Sequence, residues 1–163
     1  MKVFSYIFLF TALLFAQIYV LPYFAIGYFV PDVLFIGVIV VGIREGGVWA
    51  MLAGAGSGFL RDAFTTGFLG SSMLSLVIAG FLAGIFARHR LRFGIQGNIL
   101  FLFAVAFVYN LVYYTLQLFD AALNFSTILL QFIIPAAIYT LIIVGIAHFL
   151  IPREKKKKKL PQR

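Results

Sequence analysis

The sequence predicts an all-α integral membrane protein, built as a bundle of six transmembrane helices. Three observations carry that prediction. The chain of 163 residues is 63% hydrophobic and 11% charged, whereas a soluble domain carries about 25% charged residues. The charges cut the sequence into long apolar runs, the last of which, residues 121–152, has 32 positions without Asp, Glu, Lys or Arg. Six of the thirteen basic residues then fall at 153–159, and Lys and Arg collect at the cytoplasmic ends of spans.

The uncharged run 3–31 predicts a first helix near 3–21. It is not expected to be a signal peptide. Only Lys2 precedes it, its 19 residues to Leu21 exceed the usual core of about 7–15, and Ala12-Leu-Leu-Phe-Ala16 is a poor cleavage sequence. The second helix, near 31–43, is short. Twelve steps from Asp32 to Arg44 rise about 18 Å, against a hydrocarbon core of about 30 Å. Either residues 22–30, between Pro22 and Pro31, dip inward as irregular backbone or form an outer interfacial segment, or a helix starts near Tyr23 and kinks at Pro31.

The third helix, near 47–62, follows the turn Arg44-Glu45-Gly46-Gly47 and ends at Arg61-Asp62. As an antiparallel neighbour of the second, it brings Arg61 or Asp62 to the depth of Asp32. Intramembrane charges are costly and are usually paired, so an Asp32–Arg61 pair is expected, with a charge swap restoring what either reversal disrupts. The fourth helix, near 71–88, closes in Arg88-His89-Arg90-Leu91-Arg92. The fifth, near 97–119, precedes Asp120, and the sixth covers 126–151. Residues 1–152 form the membrane domain and 153–163 a basic cytoplasmic tail.

Six spans return both termini to one side. Twelve of the thirteen Lys and Arg residues then lie inside, Arg61 being the exception, while Asp32, Asp62 and Asp120 lie in the outer half. Tyr23 and Tyr28 suit the outer interface and Trp49 the inner one. Lys155, Lys156, Lys157, Lys158 and Lys159 are expected to contact anionic lipids, at about 1 kcal/mol each; an acidic cytoplasmic partner is the alternative.

The net charge of +8 does not indicate nucleic acid, because it sits in two clusters at helix ends and not along a stripe. There is no cysteine, and neither His89 nor His148 has a second ligand at metal spacing. No Ser/His/Asp set, nucleotide loop or paired cytoplasmic acids suggest catalysis. No cofactor, metal site or enzymatic activity is expected.

Ala50, Gly54 and Gly58, and Gly80-x-x-x-Gly84 beside Ala79 and Ala83, present small residues at four-residue spacing. In lipid this lets two backbones approach, here between helices of the same chain or against a partner's span. Asn110, Tyr113, Tyr114 and Gln117 form one polar helix face. With Gln17, Gln131, Asp32, Arg61 and Asp62 they place most embedded polarity in the outer half, as interhelical hydrogen bonds or as an outward pocket.

An ordered set of motifs runs through residues 31–92: Pro31-Asp32, Arg44-Glu45-Gly46, Gly54-x-x-x-Gly58-Phe-Leu-Arg61-Asp62, Phe68-Leu69-Gly70, Gly80-Phe-Leu-Ala-Gly84 and the Arg88, Arg90 and Arg92 cluster. This order resembles the MreD family of bacterial rod shape-determining membrane proteins. The lysine tail and Arg61 depart from that pattern, and the first, fifth and sixth helices match it in hydropathy alone. The resemblance implies a non-enzymatic inner-membrane component of the cell-elongation complex. It would bind the bitopic protein MreC and, through it, be linked to a class B penicillin-binding protein, RodA and MreB, organising lateral peptidoglycan synthesis and cell shape. The positions carried over are Asp32, Arg44, Glu45, Gly58, Asp62, Gly70, Gly80 and Gly84; the glycines are read as packing positions and Asp62 as organising the outer end. A second resemblance, through Ala12-x-x-x-Ala16 and the six-helix outline, is to the substrate-binding subunits of energy-coupling-factor vitamin transporters.

Overall fold

The computed structural model describes residues 2–25, 30–65, 67–89, 95–118 and 125–139. Arg90, Arg92, Asp120, His148, Tyr28, the second half of the sixth expected helix and residues 155–159 lie outside them.

Among the described residues all regular structure is helical. Helix α1 covers Lys2–Phe15 and continues as a π-helical turn, Ala16–Val20, and a 3-10 turn, Leu21–Phe24. Helix α2 is Val33–Arg44, α3 is Gly47–Phe64, α4 is Ser71–His89 and α5 is Ile95–Gln117. Helix α6 begins at Phe125–Ile128, passes through a π turn at Leu129–Ile133 and stays helical to Tyr139.

Of the segment before α2, residues 26–29 lie outside the described residues. Ala25 is extended, at φ −65° and ψ 130°, because the chain leaves the 3-10 turn there. A helix running on unbroken from Tyr23 is therefore interrupted at Ala25. Asp32 is the N-cap of α2, its side chain accepting from the Phe35 amide at 3.1 Å. Gln17 fixes the same entry: its Nε2 donates to the Pro31 carbonyl and its Oε1 accepts from the Val33 amide. One side chain thus replaces two backbone partners that helical geometry leaves unpaired.

Short as it is, α2 is central. Leu34, Phe35 and Val38 are almost wholly buried, against Ala50 of α3, Leu76, Ala79 and Ala83 of α4, and Val105, Ala106 and Tyr109 of α5. Phe10 and Leu14 of α1 close the other side. Gly46 makes the turn into α3 with φ +101°, a region that only glycine enters without strain.

Helices α3 and α4 pack most closely, antiparallel, through their glycines. A Cβ on Gly54 would stand 2.7 Å from the Leu76 carbonyl oxygen, one on Gly58 2.6 Å from Met73 Cα, and one on Gly80 2.7 Å from the Ala50 carbonyl carbon. Gly84 meets Gly47 in the same way. These four small residues serve contact within the chain, as one of the two expected readings has it.

The outside of the bundle is apolar. Phe4, Phe8, Tyr23, Val48, Phe64, Leu69 and Leu100 are all exposed, while Gln17, Asp32, Asp62, Ser71 and Asn110 are buried. Apolar surface on that scale requires lipid or a protein to cover it. Among the described residues, two helical stretches are long and apolar enough to cross a membrane by themselves, Phe4–Phe24 and Leu100–Gln117. The other four expected spans fall short for physical reasons. Helix α2 has twelve residues, Arg61, Asp62 and the glycines lower the hydropathy of α3, and the apolar stretches of α4, Ser71–Ala87, and of α6, described only to Tyr139, are short.

Candidate functional site: two buried carboxylates at one end of the bundle

The first carboxylate joins three helices. Arg61, in the last turn of α3, reaches Asp32 at the head of α2, with Nη1 2.5 Å from Oδ2. Both side chains are largely buried, at 12% and 8% exposure, so the pair is little screened by water. Tyr109 of α5 completes it: its hydroxyl donates to Asp32 Oδ2 and accepts from Arg61 Nη1 at 3.3 Å. Tyr113, one turn along, lies under the guanidinium, 5.1 Å from ring centroid to Cζ. Its ring stacks on that of Tyr109. Of the two residues expected to meet Asp32, the structure selects Arg61.

Asp62 faces the other way and serves α4. Its carboxylate accepts from the backbone amides of Gly70, Ser72 and Met73, at 2.9–3.1 Å. A negative charge is stabilised there by the free amides and the positive end of the helix dipole. Gly70 permits this wrapping because its φ is +102°. Ser71, in the same turn, donates to Gln117 Oε1 of α5 at 3.0 Å. Arg61 and Asp62 are therefore sequence neighbours with separate tasks: one holds α2 and α5, the other starts α4.

The remaining expected positions are placed as follows. Arg44 and Glu45 are exposed at the end of α2, where the Tyr6 hydroxyl donates to Glu45 Oε1 at 2.8 Å. Asn110 donates to the Ala106 carbonyl of its own helix. Tyr114 packs against Phe132. The embedded polar groups thus bond to backbone groups or to one another within the protein. A groove of about 490 Å³ is present, but it lies between α1, α2 and α3, and none of Asp32, Arg61, Asp62, Tyr113 or Gln117 lines it. Among the described residues, no group of three or more His, Cys, Asp or Glu could hold a metal ion.

Two participants escape the sequence reading. Tyr109 lies beside the polar stripe that begins at Asn110; its spacing of four from Tyr113 is the available signal. The partners of Asp62 are backbone amides, which leave no mark in sequence except Gly70 and the serines after it. The chain matches no protein-family model, no curated protein and no solved structure.

Proposed function

We propose that the chain is a six-span protein of the bacterial cytoplasmic membrane, with both termini inside, that acts as a non-enzymatic organiser of the cell-elongation complex in the manner of the MreD family. The observation that supports this reading is where the motif residues of that resemblance stand. Asp32, Gly58, Asp62, Gly70, Gly80 and Gly84 all serve contacts among α2, α3 and α4, either as polar clamps or as close approaches. A motif used to fix helix positions suits a scaffold that presents a rigid surface to other membrane proteins. The polar atoms of the Asp32–Arg61 centre bond to one another and to Tyr109, as suits a clamp between helices.

In this reading the partner is a bitopic MreC-like protein. A penicillin-binding protein, RodA and MreB associate through it, and residues 155–159 hold anionic lipid at the inner face. Affinity purification from native membranes, followed by mass spectrometry, tests it. The MreC-like protein should be recovered with no ATPase module and no small ligand. Recovery of an ATPase module without an MreC-like protein overturns the proposal in favour of a vitamin-transporter subunit.

A further inference from the structure

The groove between α1, α2 and α3 has one polar end. Its walls are apolar, formed by Ile7, Phe10 and Leu14 of α1 and by Leu52 and Leu60 of α3. Glu45 and Tyr6 stand at the end next to Trp49. Glu45 Oε1 accepts from Tyr6, and the carboxylate lies at the C-terminus of α2, where the helix dipole adds further negative character. Among the described residues, the groove's only charged lining residue is thus an acid, in a chain whose net charge is +8.

Size narrows the occupant. A volume of about 490 Å³ lies within the range of roughly 300–1,000 Å³ typical of small-molecule sites. A spanning helix, at least 10 Å wide and about 30 Å long, occupies on the order of 2,000 Å³. The eleven steps from Trp49 to Leu60 rise about 16 Å, close to half of the roughly 30 Å hydrocarbon core. The groove has the depth of one leaflet.

We propose that this groove seats one acyl chain of a phospholipid whose headgroup bears a primary ammonium, as phosphatidylethanolamine does, with that ammonium on Glu45. The inference rests on the membrane reading of the chain and is independent of its protein partners. Native mass spectrometry of the delipidated protein, given phosphatidylethanolamine, phosphatidylcholine or phosphatidylglycerol with identical chains, tests it. Phosphatidylethanolamine should be retained about tenfold more strongly than the other two, the effect of one charge-assisted hydrogen bond. Glu45→Gln should abolish that preference while leaving general lipid binding. Gly56→Leu should fill the floor, where an added Cβ meets nothing within 4 Å, and weaken binding of all three. A phosphatidylethanolamine carrying a photoreactive acyl chain, used on the unaltered protein, should label α1 and α3. Equal retention of the three lipids, or labelling spread evenly onto α5, overturns the proposal. Recovery of the protein in the soluble fraction would instead count against the membrane reading itself.

Discussion

Asp32 performs two tasks with two oxygens, and this determines how it responds to substitution. Oδ1 caps α2 and Oδ2 holds Arg61 and Tyr109. Asp32→Asn keeps a good cap but strands a buried guanidinium, and should cost about 3–5 kcal/mol. Arg61→Met should cost a similar amount by stranding the carboxylate. The double substitution should cost much less than the sum, because two neutral groups replace a buried ion pair. Unfolding in detergent micelles measures all three; additive losses would show that the pair is uncoupled. Exchanging the charges, Asp32→Arg with Arg61→Asp, should restore only part of the stability, since an arginine cannot accept from the Phe35 amide. Asp62→Ala leaves the amides of Gly70, Ser72 and Met73 without their acceptor and should cost about 2 kcal/mol, the upper end for a lost helix cap. The Asp32–Arg61 pair was legible because charges are few and their separation along two antiparallel helices can be counted. Tyr109 was not, because a tyrosine in an apolar run also fits an interfacial anchor. The division of labour between Arg61 and Asp62 is set by the loop fold around Gly70, which charge spacing does not encode.

Helix boundaries followed from where charges and prolines stand, and α2 to α5 begin and end within two residues of expectation. The small-residue contact expected within the chain is present, between α3 and α4, because backbones approach only where side chains are absent. The two π turns left no sequence signal, being one-residue adjustments inside otherwise ordinary apolar helices. The glycines of α3 make a sharp comparison. Gly58→Ala forces a Cβ into the Met73 backbone and should destabilise by about 1–3 kcal/mol. Gly56→Ala, two positions away, meets open space and should be neutral or stabilising by up to about 1 kcal/mol, since alanine favours a helix interior. Thermal denaturation of the two purified variants, with opposite signs expected, tests the register of the α3–α4 contact.

At the scale of the whole molecule, the described residues turn Gln17, Asp32, Asp62 and Asn110 inward and many large apolar side chains outward, the distribution that a bilayer favours. The absence of cysteine makes the proposed topology directly testable. Single cysteines at Arg44 and Thr65, both exposed, should react with an impermeant maleimide from opposite sides: Thr65→Cys on intact cells, Arg44→Cys only once the membrane is opened. Reaction of both from the same side would exclude the proposed crossing of α3.

The π turn of α1 has a consequence for the two ends of that helix. Such a turn accommodates one residue more than regular winding does, and each residue advances the helix by about 100°. Residues before Ala16 and after Val20 are therefore set in different phases, and Gln17 occupies the seam that meets the Pro31 carbonyl and the Val33 amide. Inserting one residue after Ile18, in a turn that already holds its extra residue, would leave length, composition and insertion into a bilayer almost unchanged, yet rotate Leu21–Phe24 by about a quarter of a turn and remove the Phe24 carbonyl from Tyr139, which donates to it at 3.1 Å. A lesion of that kind would give a protein that reaches the membrane in normal amounts but docks its helices out of phase, separating delivery from assembly.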